Sequence, residues 1–342
     1  MKKIAVAMSG GVDSTTCAAL LKEQGYEVVG LFMDLGGEDS AVLAGRVREL
    51  GERIGVAVEV VDLAVPFRRL VKDYFRQSYL AGLTPNPCVV CNRQIKFGLL
   101  LDHARSLGAE HLATGHYVRL ALEEGGVRLE KGHDPAKDQS YFLCRLRRSA
   151  LASILFPLGG YRKEEVYKMA GERGLFFKKS GESQDVCFLA GARLADYLTS
   201  EGSGARPGKI VDGEGRVLGS HQGVHLYTIG QRRGLGVPAP HPLFVTGIEP
   251  AENLVKVGED GELWRQRCRV GSLNWLTPSP PESGGEVEVK IRHRHRPAPA
   301  RLIFDDQGGE VVFSVPQRAV TPGQFAAFYR GDELLGGAEI IG

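Results

Sequence analysis

The chain has no long apolar run. No stretch of its 342 residues approaches the roughly 20 consecutive apolar positions that cross a bilayer, so no membrane segment is expected. An excess of either charge is also missing. Forty-three Lys and Arg stand against 41 Asp and Glu, a net charge of +2. A polyanion partner is therefore not implied by the whole, and any nucleic-acid surface must come from local clustering. No leader peptide is expected: Met1-Lys2-Lys3 runs straight into a short strand, and a cytoplasmic protein is the expectation. Cysteine is sparse. Six in such a chain point to thiols or ligands rather than a disulfide frame. The glycine-rich turn near the N-terminus lacks the lysine of the GxxxxGK loop, which excludes that way of gripping a β/γ-phosphate.

What is present begins with that turn. Residues 4–14, IAVAMSGGVDS, read as buried strand, glycine turn and helix start. Ile4, Val6 and Met8 supply the strand, residues 15–24 carry the helix on, and Gly25 ends it. Glycines let the backbone approach a phosphate, and a helix N-terminus points free N–H groups and a positive dipole at it. Ser9 and Ser14 add hydroxyls. The plainer reading, a strand–helix turn with Asp13 as cap, accounts less well for two adjacent glycines flanked by serines. Composition is otherwise ordinary, 43% apolar and 25% charged, and the length suggests two or three domains.

Strand and helix alternate over the first two hundred residues. Strands are expected at 28–32, 56–61 and 111–114, with helices at 43–54, 67–80, 93–106, 163–173 and 192–198. This rhythm argues an α/β fold with a doubly wound parallel sheet, whose ligands bind beyond the carboxyl ends of the strands. Met33 lies at one such end, where it packs on an adenine or in the core. Gly115-His116-Tyr117 lies at another. Residues 84–92, TPNPCVVCN, read as a loop made extended by Pro85 and Pro87 and carrying a Cys-x-x-Cys pair. Residues 118–131 read as a hairpin. Asp138 is placed to cap a short helix, and Cys187 sits alone in a polar loop over 178–188.

After residue 200 the pattern changes. A glycine-rich linker over 201–208 leads to short β-rich runs typical of small barrels. Residues 287–296, VEVKIRHRHR, are expected to form one strand. Val287, Val289, Ile291, His293 and His295 would share one face, and Glu288, Lys290, Arg292, Arg294 and Arg296 the other. Four cations in a row make a phosphate-tracking stripe, or else a solvated edge that blocks pairing with another sheet.

SGGVDS resembles the PP-loop of the ATP pyrophosphatases, which split ATP between its α- and β-phosphates and put AMP on a substrate oxygen. The whole chain resembles the bacterial-type tRNA-specific 2-thiouridylases. The resemblance is carried by MSGGVDS at 8–14, TPNPCVVCNRQIKFG at 84–98, ATGHY at 113–117, KDQSYFL at 137–143, the Cys187 segment, HQGVHLYTIGQRRGLG at 221–236 and TPGQ at 321–324. It implies a PP-loop catalytic domain over 1–202, of the adenine nucleotide alpha hydrolase-like kind. A small β-rich central domain over 203–268 and a tRNA-contacting β-barrel over 269–342 would follow. ATP with Mg²⁺ would be bound by Ala7, Met8, Ser9, Gly10, Gly11, Val12, Asp13, Ser14, Met33 and Gly115. Asn86, Pro87 and Cys88 would lie against the target base. Cys91, Cys187 and Asp13 would be catalytic, with persulfide sulfur on Cys187. His116, Lys137, Asp138, Gln139, Arg292, His293 and Gln324 would contact tRNA, His293 standing where the family often has Tyr.

The activity so implied replaces O2 of the wobble uridine, in the anticodon arm, with sulfur. A cysteine desulfurase or a sulfur-relay protein would donate that sulfur. Adenylation turns a poor leaving group into AMP, and a thiolate-type sulfur then attacks C2. Many family members carry Asp where this chain has Cys88. Two arrangements therefore stand: a persulfide relay with Cys88 a bystander, or a [4Fe–4S] cluster on Cys88, Cys91 and Cys187 with one iron left open. A redox disulfide or zinc site is a third. In each of the first two, the three sulfurs share one pocket. Rival functions are a PP-loop synthetase acting on a small molecule and a non-catalytic RNA-binding protein. Neither explains Cys91 and Cys187.

Overall fold

Five parallel strands position everything that follows. The computed structural model describes residues 2–123, 126–178, 186–189, 191–200 and 206–342. Strands β1 (Lys3–Ala7), β2 (Glu27–Asp34), β3 (Ala57–Asp62), β4 (His111–Ala113) and β7 (Ile154–Leu155) lie in the order β3-β2-β1-β4-β7, all parallel. β1 is apolar on both faces because helices cover both. Ile4, Val6 and Met8 pack with Cys17 and Leu21 of α1 (Val12–Glu23) and Val47 and Leu50 of α2 (Ser40–Ile54). Ala5, pointing the other way, packs with Phe67, Val71, Ile95 and Leu100 from the helices over 64–80 and 87–106. Each large side chain buried in this way contributes about 1.5–3 kcal/mol. The fold class is the one the sequence implied.

Two helices begin earlier than their sequences suggest. α1 starts at Val12, so Asp13 lies inside its first turn. The segment expected as a loop at 84–92 is helical from Pro87 onward. Proline is well placed at a first helical position, where its missing N–H is not needed. Asn86 caps the turn, its Oδ1 accepting from Val89 N at 3.4 Å. Cys88 and Cys91 are therefore on the opening turn of a helix that continues to Ser106, and Cys91 is buried rather than in a polar loop. Two stretches of wider helical turn, Arg68–Lys72 and Asn92–Leu100, carry Lys72 and Lys96. Such turns concentrate at functional sites.

The remaining strands form two mainly antiparallel sheets. One has the order β10-β11-β8-β9, built from β8 (Gly208–Val211), β9 (Val217–His221), β10 (Phe244–Glu249) and β11 (Leu254–Gly258). The other runs through β12 (Trp264–Val270), β16 (Gly309–Arg318), β15 (Ala298–Phe304), β14 (Gly285–Lys290), β17 (Phe325–Arg330) and β18 (Glu333–Glu339). It then takes in β6 (Gly126–Lys131) and β5 (Val118–Glu123). The expected hairpin thus forms, but as the edge of the C-terminal sheet. Trp264 to Val270 pair with β16, so a boundary after residue 268 falls inside a strand of that sheet.

The ten-residue basic strand does not form. β14 ends at Lys290, and 291–297 turn back toward β15. His295 N donates to Arg292 O, Arg292 donates to the carbonyls of Arg318 and Ala319, and Pro297 has no N–H for a ladder. Lys290 is buried, 3.8 Å from Asp138. No single strand face carries the arginines. Among the described residues, no helix is long and apolar enough to cross a membrane.

The C-terminal domain clasps the segment before Cys88. Thr84 N donates to Pro322 O at 2.9 Å, and Gln324 Nε2 donates to Thr84 O at 2.9 Å and to Pro85 O at 3.4 Å. Gly323 has φ +89°, and a Cβ there would lie 2.8 Å from Thr84 N. Gly331 also has positive φ, +60°, but open space around it. Gly323→Ala is therefore expected to lower unfolding stability by well over about 1 kcal/mol, and Gly331→Ala by the backbone penalty alone. Urea denaturation followed by tryptophan fluorescence measures both. Equal losses would mean that the clasp yields without cost.

Candidate active site

A cavity of about 830 Å³ opens at the carboxyl ends of β1, β2 and β4. Ala7, Met8, Ser9, Asp13 and Ser14 border it on one side, Met33 and Phe32 on another, and Gly115 and His116 on a third. The glycine turn is built for close approach. Gly10 has φ +78°, and a Cβ on Gly115 would lie 2.9 Å from the Asp13 carbonyl carbon. Ser9 N donates to Ser14 Oγ at 3.1 Å, and Ser14 Oγ donates to Gly11 O at 3.2 Å, which ties off the turn. Gly10, Gly11 and Val12 do not border the cavity. A Cβ on Gly10 would meet Val47, and Val12 is buried in the core.

Asp13 is held by a residue that the sequence reading missed. Lys163 Nζ lies 2.7 and 2.9 Å from the two carboxylate oxygens, and Tyr117 OH donates to Oδ1 at 2.7 Å. Lys163 is only 9% exposed and is the first residue of the helix Lys163–Glu172. Its ammonium sits 5.6 and 5.3 Å from the ring centres of Tyr117 and Tyr167. One signal was available: a cation at a helix N-terminus opposes the helix dipole and needs an anion nearby.

Of the three thiols, Cys187 alone borders this cavity, and it is exposed. Next to it Phe188 packs edge-on against Phe67 and Phe75, with ring centres 5.9 and 5.1 Å away. Burial pushes the Cys91 thiol up to about 12; Lys96 opposes this, and the charges of Cys187 and Cys88 add to it. Cys88, half-buried, is raised in the same way. The charge of Cys187 thus acts on both Cys88 and Cys91. All six cysteines are free. Among the described residues no three His, Cys, Asp or Glu side chains are gathered as a metal site, so the three sulfurs do not form a ligand set here.

His116 is buried between Phe97 and Phe156, its Nδ1 2.6 Å from Thr114 Oγ1. Burial and the nearby Lys96 hold its protonation well below the usual histidine range. Gln139 borders the cavity and accepts from Tyr117 N at 3.0 Å. Asp138 is buried, accepting from Gly132 N, Ser140 N and Ser140 Oγ. Lys137 is half-buried. Asn86 is spent on the helix cap and Gln324 on the clasp. Pro87 is buried at the start of the same helix. Arg292 and His293 lie apart from the cavity on the 291–297 turn. The His293 ring stacks on Phe142 at 4.4 Å and 30°, and Asn92, next to Cys91, donates to Phe142 O at 3.2 Å. An anion-binding helix start, a carboxylate neutralised by lysine and a thiol at the mouth can together hold a polyphosphate and present sulfur to a substrate that reaches in.

Three family descriptions match the chain end to end. The tRNA methyl transferase HUP domain covers residues 2–191, the tRNA methyl transferase PRC-barrel domain 195–259, and the aminomethyltransferase β-barrel domain 265–340. The tRNA-specific 2-thiouridylase MnmA of Desulfotalea psychrophila is 42% identical over 339 residues, spanning 98% of both chains. Its counterpart from Syntrophomonas wolfei is 45% identical over 341 residues, spanning 99% of both. Solved structures resemble only part of the chain. A predicted tRNA methyltransferase subunit from Methanocaldococcus jannaschii is 20% identical, with TM-score 0.36, over 50% of this chain and 75% of that one. A 4-thiouridine synthetase bound to RNA and ATP is 16% identical, with TM-score 0.35, over 51% and 41%.

Cys187 is exposed, while burial raises the thiols of Cys88 and Cys91, and the thiolate is the reactive form. Iodoacetamide at pH 7.5 is expected to label Cys187 first, Cys88 more slowly and Cys91 last, read by peptide mass spectrometry. Labelling of Cys91 ahead of Cys187 would contradict the burial and charge arrangement described.

Proposed function

The chain belongs to the tRNA-specific 2-thiouridylase family, and from that membership we propose that it uses ATP to replace O2 of the tRNA wobble uridine with sulfur. The observation that carries this reading is one cavity bordered by Ser9, Asp13 and Ser14 of the glycine turn, by Cys187 and by Lys96 of the helix that begins with Cys88 and Cys91, with Lys163 paired to Asp13 behind it. Paired thiols next to a phosphate-binding turn favour sulfur transfer over the methyl transfer named in the matched family descriptions.

The phosphates of ATP lie on the Ser9–Ser14 turn, with the adenine toward Met33. The uridine leaves the anticodon stack, at a cost of a few kcal/mol, and enters against Asn86, Pro87 and Cys88. Its O2 attacks the α-phosphate; the O2–phosphorus bond forms, the α–β bridge breaks, and pyrophosphate leaves toward Lys163. Magnesium bound with the nucleotide would take Asp13 as its protein ligand and phosphate oxygens and water for the rest, spreading the leaving charge. The outer sulfur of a Cys187 persulfide then attacks C2, and AMP departs. Cys91 thiolate attacks the inner sulfur, leaving 2-thiouridine and a Cys91–Cys187 disulfide. An external thiol reduces that disulfide before the next turnover. Lys96 is the cation that assists ionisation of Cys91.

The cluster reading asks for three thiolates around one centre, and the described residues hold no such set. His116, Lys137, Gln139, Arg292 and His293 remain assigned to the tRNA side. Asp138 and Gln324 are assigned to holding the segments that touch it. A cytoplasmic setting and a sulfur donor such as a cysteine desulfurase or a sulfur-relay protein accompany this reading.

Pyrophosphate release measured with and without tRNA tests it. Release that depends on tRNA is expected. Release without tRNA would favour a small-molecule synthetase, and none at all a non-catalytic RNA binder. Asp13→Ala should abolish AMP formation, and Lys163→Met should slow it by about 100-fold or more, the scale of losing one charge-stabilising donor. Thiolation at the wild-type rate by Asp13→Ala would sink the assignment.

The cysteines separate the two sulfur routes. Cys91→Ser and Cys187→Ser should each be inactive in 2-thiouridine formation, with Cys88→Asp largely active. Loss of activity in all three, together with loss of iron from anaerobically purified protein, would return the cluster to first place.

A further inference from the structure

Adenylating a uridine at O2 leaves a proton to be placed. The ring nitrogen N3 carries a hydrogen, and the neutral adenylated base has none there. The residues set against the base do not take it. Asn86 is spent on its helix cap, Pro87 has no titratable group, and burial raises the Cys88 thiol, which keeps it protonated. Three carboxylates border the cavity. Asp13 is held by Lys163 and Tyr117, and Glu38 and Asp39 follow β2, on the Met33 side where the adenine is placed.

His116 stands at the junction instead, bordering the same cavity. Its neighbour Gly115 packs against the backbone of Asp13, at the end of the glycine turn. Its own ring packs on Phe97, with ring centres 5.8 Å apart, and Phe97 belongs to the helix that begins with Cys88 and Cys91. Phe156 stands edge-on to it at 6.0 Å. The imidazole is thus fixed between the element that would carry the phosphates and the element that would carry the base. Nδ1 lies 2.6 Å from Thr114 Oγ1, and Nε2 makes no hydrogen bond among the described residues. The bond at one ring nitrogen sets the state of the other. With Nδ1–H donating to Thr114, Nε2 presents a lone pair. Burial and the nearby Lys96 keep the ring neutral, so that lone pair is available at neutral pH. A weak base suffices, because bonding O2 to phosphorus puts positive charge on the ring and makes the N3 proton acidic.

We propose that His116 is the general base of adenylation, accepting the N3 proton of the uridine on Nε2 as O2 attacks the α-phosphate. The proposal rests on the thiouridylase reading above and gives His116 a chemical task beyond touching tRNA. The electrons balance within the step. The N3–H pair becomes the N3=C2 double bond, the C2=O2 π pair becomes the O2–phosphorus bond, and the α–β bridge pair leaves with pyrophosphate. The imidazolium returns its proton to N3 when Cys91 thiolate releases the sulfur bonded to C2.

Single-turnover pyrophosphate release in the presence of tRNA tests this. His116→Ala should slow it by about 100-fold or more, the scale of losing a general base, with the affinities for tRNA and ATP unchanged in fluorescence titrations. Added imidazole should restore release in proportion to its concentration. The 1,3-dimethylimidazolium ion, which has the shape but no lone pair, should not. His116→Gln, which keeps a polar side chain in that space, should show the same loss. Release at the wild-type rate in His116→Ala would overturn the proposal. A loss that follows tRNA affinity alone, or one that imidazole leaves unchanged, would also overturn it and make the ring a contact or a packing group. Wild-type protein that releases no pyrophosphate with tRNA would instead remove the functional reading on which the proposal rests.

Discussion

The ion pair between Asp13 and Lys163 is the constraint on which the site depends. It joins the first turn of α1 to the start of a helix 150 residues later, and Tyr117 brings in the loop after β4. Such a pair gains little net stability, because removing two charges from water costs about what their attraction returns. Its value lies in placement. It sets Asp13, which borders the cavity, against a cation carried on the start of a distant helix, and so fixes the glycine turn relative to that helix.

Parts of this arrangement were legible because they are local. The strand–turn–helix around Ser9, the close approach at Gly115 and the place of Met33 follow from glycine chemistry and from the rule that ligands lie at strand ends. The hairpin over 118–131 was legible as a hairpin. Its partner was not, since Glu130 pairs with Glu333 across two hundred residues and no local pattern encodes that choice. Pro87 misled because proline both breaks helices and opens them. Asn86 one residue earlier was the deciding signal, since asparagine is a strong cap. The alternation after Lys290 was real as a pattern, but it records a turn with half-buried histidines, not a strand. Hydrogen bonds from Arg292 to Arg318 and Ala319 decide this, and they are long-range.

The three sulfurs differ in environment, and that difference orders the chemistry. Cys187 is exposed and borders the cavity. Cys91 is buried, and burial keeps its sulfur protonated in the absence of substrate. Lys96 opposes that effect, so the one cation acting on the buried thiol favours its ionised form.

Two clasps hold the turn that carries Cys88 and Cys91. The C-terminal domain grips Thr84 and Pro85 through Pro322 and Gln324, two residues ahead of the helix cap at Asn86. It grips the far side of the same helix through the His293–Phe142 stack and the Asn92 amide. The thiol-bearing turn is therefore held at both ends by that domain. A short helix with a proline start and an asparagine cap thus owes its place to contacts made from the other end of the chain.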